Sequence, residues 1–345
     1  VNLQRTIHST YGMLVGSKTD VVDYTVYFSG IYNLTLSDLT IKRQDANMSG
    51  EDAVIYSIGC DSLVFRNLAI VGRYNSPNQT GWDEYYKRLT LVRCSADIFN
   101  CLFDQVRIAL FRDNTNVLSS PRINIENNEG IAQIYFQDEP YSSTSLLVKN
   151  NIFDGSIEEN PIHFEYGNNT SATILVESNT FSNIYERLEF DFPHGSNRTA
   201  MVVLKNNTIS LRNSNQDGVY ARCIDTIVGN RIYVENGDAL NLRGYTNMNK
   251  TFVANNYITV SGAGTSNGIY LYSLYTGTIV ANNSINQLGT GTATIFTFND
   301  VSDITVKNNI LASPGGGKVF STDPISILDW DYNNYYTTGN TIANY

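Results

Sequence analysis

The sequence predicts an all-β protein folded as a single right-handed parallel β-helix, a solenoid of about a dozen coils with asparagine-rich turns. Two observations support this fold class. The short motif apolar-x-Asn-Asn-x-apolar recurs along the chain at a nearly constant spacing, and apolar residues alternate at every second position around it. Alternation with a period of two indicates strands and excludes a solenoid built from helices.

The motif sets the length of one coil. The positions that we align as equivalent are 23 to 28 residues apart, and degenerate copies precede them at 34–41 and 63–70. They are Cys101, Asn128, Asn151, Asn179, Asn207, Arg231, Asn256, Asn283, Asn309 and Asn334. Because Asn tolerates the left-handed backbone conformation, and because stacked amides can bond one another from coil to coil, we interpret the Asn pairs as structural turns.

Composition limits the functions that the chain can have. The pattern runs from about Leu34 to Tyr336 without a linker, so we predict one domain over residues 1–345 with a long loop insertion at 73–87. Charged residues make up 16%, the net charge is -10, and no run of Lys and Arg is present to neutralise phosphates, which argues against a nucleic-acid partner. No run of about 18 apolar residues is present, so we expect no membrane insertion. Since position 1 lies inside the pattern, we expect a fragment of a larger secreted protein whose flanking domains are missing.

The cysteines do not identify a cellular compartment. Cys60 and Cys94 occupy the same phase of consecutive coils, so a disulfide between them is geometrically allowed. Buried free thiols stacked in the core are the more common arrangement and the one that we expect.

The repeats resemble the pectate-lyase-like right-handed β-helix superfamily along nearly the whole chain, especially the repeat regions of secreted bacterial surface proteins. The resemblance implies an extracellular or cell-surface location and a third strand per coil whose sheet lines a substrate groove. Lyases, glycoside hydrolases, adhesins and structural stalks share the Asn-Asn pattern, so the resemblance implies a fold and not a chemistry. No paired-Asp hydrolase motif or lyase motif accompanies it.

The third strand of each coil can be read from the sequence. Its copies are QIYFQD at 133–138, PIHFEY at 161–166, RLEFDF at 187–192, GVYARC at 218–223, ALNLRG at 239–244, GIYLYS at 268–273 and TIFTFN at 294–299. Alternation predicts two columns of outward side chains. The first column is Tyr135, His163, Glu189, Tyr220, Asn241, Tyr270 and Phe296, and the second is Gln137, Glu165, Asp191, Arg222, Arg243, Tyr272 and Phe298.

The columns suggest a binding face for a sugar polymer. Exposed aromatic rings on a sheet indicate a binding site, because apolar surface is usually covered by a ligand or a partner. A sugar ring fits such a surface, since it has apolar faces and a polar rim. The leading hypothesis is therefore a module that binds an extended polysaccharide and requires no cofactor. Its predicted contacts are His163, Tyr220, Arg243, Tyr270, Tyr272, Phe296 and, in the insertion, Trp82.

The acidic part of the same face allows an enzyme instead. Glu165 and Asp191 fall on adjacent coils, so their carboxyls are compatible with the separation of roughly 5 Å in a retaining glycosidase. Glu189 lies next to them, and the three carboxylates are alternatively a Ca²⁺ site, with Arg222 or Arg243 as the base of a lyase. Simple cross-coil ion pairs on a solvated sheet, in a structural stalk that binds nothing, remain a further alternative.

Overall fold

The computed structural model describes residues 5–16, 24–43, 53–72, 87–111, 121–138, 144–154, 160–166, 172–191, 200–212, 215–222, 224–244, 250–262, 265–273, 277–290, 293–322, 328–340 and 342–344. Strands in these ranges pair in parallel with the equivalent strand of the next coil. The fold is a single all-β parallel solenoid, which confirms the prediction. A helix long and apolar enough to cross a membrane is not found in the described ranges.

Three sheets form the walls of the solenoid. The first sheet precedes the Asn turn and contains β5 (Leu63–Arg66), β8 (Ala96–Phe99), β10 (Arg122–Glu126), β12 (Ser145–Lys149), β15 (Thr173–Glu177), β18 (Met201–Lys205), β21 (Thr226–Val228), β24 (Phe252–Ala254), β27 (Ile279–Ala281), β30 (Ile304–Lys307) and β33 (Leu328–Asp331). The second sheet follows the turn and contains β6 (Ala69–Val71), β13 (Ile152–Phe153), β16 (Thr180–Ile184), β19 (Thr208–Leu211), β22 (Arg231–Val234), β25 (Tyr257–Val260), β28 (Ser284–Gln287), β31 (Ile310–Ser313) and β34 (Asn334–Thr337).

The third sheet completes each coil. It contains β2 (Tyr24–Ser29), β4 (Ala53–Ile58), β7 (Lys87–Val92), β14 (Ile162–Tyr166), β17 (Leu188–Asp191), β20 (Val219–Arg222), β23 (Leu240–Arg243), β26 (Asn267–Tyr272), β29 (Thr294–Asn299), β32 (Lys318–Thr322) and β35 (Ala343–Asn344). Four longer strands pass through a corner. β1 (Arg5–Gly16) and β3 (Leu34–Arg43) join the first sheet to the second, and β9 (Leu102–Phe111) and β11 (Glu129–Asp138) join the second to the third.

The core is a column of inward side chains. Strands β10, β12, β15 and β18 share one alternating pattern of buried and partly exposed residues, as the period of two predicts. Aromatic rings meet edge to face along the axis, with 5.8 Å between the centroids of Phe136 and Phe164 and 5.5 Å between those of Phe164 and Phe190. Burying each ring stabilises the fold by roughly 1.5–3 kcal/mol.

The two residues of each Asn pair have different tasks. The first takes the left-handed conformation at the bend, as Asn150 does with φ of 54° and Asn206 with φ of 55°. The second is buried and bonds to the next coil. These residues form a ladder that runs through the buried Asn128, Asn151, Asn179, Asn207, Asn230, Asn256, Asn283 and Asn309 and ends at the half-buried Asn333.

Asn207 shows how each ladder amide is satisfied. Its Nδ2 donates to the carbonyl oxygen of Val176 at 2.9 Å and to Oδ1 of Asn230 at 3.0 Å. Its Oδ1 accepts from the backbone N–H of Asn179 at 2.9 Å and from Nδ2 of the same residue at 3.0 Å. The predicted bonding from coil to coil is therefore confirmed, and both backbone and side-chain polar groups are paired in the interior.

Two ladder positions in the sequence alignment are wrong by one residue. Asn230 and Asn333 are the ladder members, in place of Arg231 and Asn334. The cause is the residue at the bend, which fixes the next residue as the ladder member: Gly229 takes a φ of 70° before Asn230, and Tyr332 takes a φ of 52° before Asn333. Glycine adopts this conformation without a steric penalty, so it replaces the first Asn of the pair.

The three thiols among the described residues are buried and free, and Cys223 lies outside those residues. Cys60, Cys94 and Cys101 are unpaired, and the backbone N–H of Cys60 donates to Sγ of Cys94 at 3.4 Å. The expected stack of free thiols on consecutive coils is therefore confirmed. Cys101 begins the polar ladder, since its backbone N–H donates to Oδ1 of Asn128 at 2.9 Å.

Candidate functional site

The third sheet has one face in the core and one in solvent. The residues that we expected inside are buried, namely Ile134, Phe136, Ile162, Phe164, Leu188, Phe190, Val219, Ala221, Leu240 and Leu242. Strand register places Tyr135, His163, Glu189, Tyr220, Asn241 and Tyr270 in one outward column. It also places Glu165 beside Asp191, and Arg243 between Arg222 and Tyr272, in the other.

The prediction for β29 is wrong by one residue. Phe296 and Phe298 point into the core and are 0% and 1% exposed, while Thr297 and Asn299 take the outward positions. Two adjacent apolar residues begin this segment, so alternation alone does not decide which one faces inward. Packing decides it, because both rings contact Trp330, at centroid distances of 5.8 and 6.4 Å. Phe296 is therefore not part of a solvent-facing sugar surface.

Glu165 is held in a fixed position while it stays accessible. The hydroxyl of Tyr135 donates to Oε2 at 2.9 Å, and Nε2 of His163 lies 3.1 Å from Oε1. Burial and the neighbouring carboxylate raise the pKa of Tyr135, so its hydroxyl remains a donor. The Glu165 side chain is 44% exposed. This carboxylate is therefore oriented by its neighbours and open to a ligand.

Glu189 is engaged within the protein. Arg187 donates to Oε1 at 2.8 Å, and Nδ2 of Asn160 donates to Oε2 at 2.6 Å. Only 12% of the Glu189 side chain is exposed. Both of its oxygens already have partners, so Glu189 contributes less to a binding or catalytic site than Glu165 does.

Asp191 combines partial burial with incomplete pairing. Nη1 of Arg222 lies 3.2 Å from Oδ1 of Asp191, yet this buried oxygen accepts no hydrogen bond from a described residue. Desolvation raises the pKa of Asp191 and Arg222 opposes it, while the charges of Glu189 and Glu165 raise the pKa further. A carboxyl with a raised pKa beside an oriented carboxylate is one of the arrangements from which general-acid catalysis can be built.

Tyr220 is covered by arginines instead of facing solvent. The guanidinium carbons of Arg187, Arg243 and Arg222 lie 4.3, 5.2 and 5.6 Å from its ring centroid. Nε of Arg222 also donates to its hydroxyl at 2.8 Å. Tyr220 is 5% exposed, so the prediction that it contacts a sugar directly is wrong. Its ring attracts and positions the three cations through its negative face.

Tyr270 and Tyr272 form an aromatic platform beyond the arginines. Their ring centroids are 6.5 Å apart with an interplanar angle of 14°, and Tyr272 is 39% exposed. The guanidinium of Arg243 lies 5.8 Å from the Tyr272 ring, and its Nε donates to Oδ1 of Asn241 at 3.2 Å. A nearly parallel pair of rings with a neighbouring cation can stack on the apolar face of a sugar and bond its hydroxyls.

An acidic pair that the sequence reasoning missed lies where β20 and β23 begin. Oδ1 of Asp217 accepts the backbone N–H of Asp238 at 3.1 Å, and Oδ1 of Asp238 accepts that of Asn267 at 2.9 Å. Nδ2 of Asn241 donates to Oδ2 of Asp217 at 2.9 Å. Burial, with the charge of Asp217, raises the pKa of Asp238 to about 7. The sequence does carry a signal for this pair, because in both β20 and β23 an Asp stands two residues before the first inward residue, Val219 or Leu240.

Two parts of the predicted site are the metal alternative and the loop insertion. In the described ranges no three His, Cys, Asp or Glu side chains converge to hold a metal ion. A Ca²⁺ site at Glu165, Glu189 and Asp191 stays a prediction, since Ca²⁺ can also take carbonyl and amide oxygens. Trp82 and the rest of 73–86 lie outside the described residues.

Comparisons with known proteins concern the fold. No protein-family model and no curated protein matches the chain. Its structure is similar to tailspike protein 3 of bacteriophage CBA120, with a TM-score of 0.53 and 11% identity over 94% of this chain and 51% of the tailspike. It is also similar to the A-module of the Azotobacter vinelandii mannuronan C-5 epimerase AlgE6, with a TM-score of 0.33 and 11% identity over 99% of this chain and 91% of that module. The chain spans about half of the tailspike, and at this identity the likeness shows a shared fold alone.

Proposed function

We propose that this chain is a β-solenoid module of an extracellular or cell-surface protein, and that it binds an extended polysaccharide along the outer face of the third sheet. The main support is the linear arrangement of polar and aromatic groups from Glu165 to Tyr272. Equivalent positions repeat about every 4.8 Å along the solenoid, so an extended polymer with repeating units can meet a group on each coil. The fold that the chain shares with a phage tailspike is compatible with this role.

Each part of the face offers a different contact. Glu165 can accept hydrogen bonds from sugar hydroxyls, because its carboxylate is oriented but 44% exposed. Arg243 can donate to ring or hydroxyl oxygens next to the aromatic platform, and the exposed face of Tyr272 can stack on a pyranose ring. Together these contacts suit a neutral or mixed polymer better than a highly acidic one, since Glu165 repels a carboxylate.

Retention on immobilised polysaccharides tests the proposal. We expect Tyr272→Ala to weaken binding roughly 2- to 10-fold, because an aromatic contact is worth about 0.5–1.5 kcal/mol. Tyr336→Ala is the matched control, since this tyrosine is 57% exposed on the second sheet and away from the face. Equal retention of the two variants, or no retention of the wild-type chain on any neutral or acidic polysaccharide, would contradict the proposal and favour a structural stalk.

A polysaccharide hydrolase or lyase is the second candidate, and the raised pKa of Asp191 beside Glu165 favours it. Incubation with the retained polysaccharide, with and without Ca²⁺, would release new reducing ends or unsaturated products. Glu165→Gln or Asp191→Asn would abolish that release and leave retention largely intact. Retention without any cleavage by the wild-type chain would rule out the enzyme and leave the binding module.

A further inference from the structure

A second groove lies on a different wall of the solenoid. It has a volume of about 460 Å³ and is formed by the outer face of the second sheet, along β19, β22 and β25. This volume falls within the range of about 300–1,000 Å³ that is typical of small-molecule sites. Its outward lining residues are Thr208, Ser210, Arg231, Tyr233, Tyr257 and Thr259.

The groove arises from the order of large and small side chains along the outward columns. In one column Arg231 lies between Thr208 and Tyr257. In the other, Tyr233 lies between two small hydroxyl residues of the adjacent strands. The two tyrosines therefore stand on neighbouring coils and on different columns, and the small residues leave a depression between them and the arginine.

The tyrosine rings are placed to contact a ligand. Tyr257 is 55% exposed and Tyr233 is 36% exposed. The hydroxyl of Tyr233 shares a hydrogen bond of 3.1 Å with Oγ of Ser261 on the next coil, which fixes the position of the ring. Two exposed rings beside hydroxyl groups provide an apolar surface with a polar rim, as a pyranose ring requires.

Arg231 determines the charge of the ligand. Its side chain is exposed, and it forms no ion pair with a residue in the described ranges. A guanidinium presents parallel N–H groups that match the two oxygens of a carboxylate. The groove is therefore complementary to an anion next to a sugar ring, in contrast to the third sheet, where Arg222 already faces Asp191.

We infer that this groove binds an acidic saccharide whose sugar units carry a carboxylate. The pyranose face stacks on Tyr257, the ring of Tyr233 borders the next unit, and Arg231 binds the carboxylate. The hydroxyls of Thr208 and Thr259 bond sugar hydroxyls at the rim. This inference does not depend on the proposed function, because the two faces share no residue.

Calorimetric titration of the whole chain with defined oligosaccharides tests the inference. The probes are hexamers of glucuronate, galacturonate and mannuronate, each beside the neutral hexamer of the corresponding hexose. We expect at least one uronate hexamer to bind, and Arg231→Gln to weaken it about 10-fold or more while changing binding of the neutral hexamer little. Tyr257→Ala is expected to weaken both, and Tyr336→Ala neither.

The outcomes separate the two sites. Loss of uronate binding in Tyr257→Ala and Arg231→Gln, but not in Tyr272→Ala, supports the second groove whatever happens on the third sheet. Loss only in Tyr272→Ala overturns the inference and leaves the proposed function standing. An Arg231→Gln chain that binds every uronate hexamer as the wild type does, or a wild-type chain that binds none of them, overturns it as well.

Discussion

Replacing Asn207 with alanine tests whether the asparagine ladder holds consecutive coils together. The substitution removes the acceptor of the Asn179 backbone N–H, which is left buried without its partner. Nδ2 of Asn179 keeps its bond to the carbonyl of Val148, so this group is only partly affected. One fully orphaned donor costs about 1–3 kcal/mol, and the small cavity adds to it, so we expect a loss of roughly 2–4 kcal/mol in unfolding free energy.

Two further variants separate hydrogen bonding from shape. Asn207→Asp keeps the shape but replaces the donor that faces the carbonyl of Val176 with an oxygen and buries a charge, so it should destabilise at least as much as alanine. Asn206→Gly changes the neighbouring residue, which is exposed with φ of 55°, and glycine adopts that conformation freely. We expect less than about 0.5 kcal/mol for this control.

Urea unfolding followed by circular dichroism measures the change, and hydrogen exchange locates it. The expected result is a lower midpoint for both Asn207 variants and faster exchange at the amide of Asn179. Equal midpoints for Asn207→Ala and Asn206→Gly, with unchanged exchange at Asn179, would refute the view that the hydrogen bonds of the ladder amides stabilise the stack.

Two other substitutions give predictions of opposite sign. The folded-state pKa of Asp238, about 7, lies above its ordinary value, so stability is lost as the pH rises from about 4 through 7. At pH 8 we therefore expect Asp238→Asn to raise the unfolding free energy by roughly 2–4 kcal/mol and with it the thermal midpoint. At pH 4 the substitution should change the midpoint little, and equal effects at both pH values would contradict this reasoning. Gly130→Ala should destabilise far more than Gly30→Ala, because both have positive φ but only the first would drive a Cβ into the carbonyl oxygen of Phe103. Similar thermal midpoints for these two variants would show that the positive φ, and not the contact with the Phe103 carbonyl oxygen, determines the loss of stability.

The sequence specified the coil and most of the outward columns because one periodicity governs both. Alternation with a period of two locates an inward residue only where apolar and polar residues strictly alternate, as in β14 and β17. Where two apolar residues are adjacent, as at the start of β29, either register satisfies the pattern. Contact between Phe296 and Trp330 across coils then selects the register, and such contacts are not encoded in local spacing.

The chemistry of the face was harder to predict than its position. Tyr220 is outward in register, yet side chains from three different coils close over it. Asp217 and Asp238 escaped notice because their significance comes from stacking and burial, neither of which a single strand reveals. The pattern within one coil predicts whether a side chain points inward or outward. Its hydrogen bonds and contacts depend on side chains of the neighbouring coils, which only the assembled stack shows.

The pairing on the third sheet leaves two open ends around a closed centre. In the centre, Arg187 bonds Glu189 and Tyr220 is covered, so these groups offer little to a ligand. At the ends, the Glu165 side chain is 44% exposed and Tyr272 is 39% exposed. Strands β14 and β26, which carry them, are four coil steps apart, or about 19 Å at the usual strand spacing. Because affinity comes mainly from groups that are not already satisfied, a polysaccharide long enough to reach both ends should bind markedly better than a shorter one that engages either end alone.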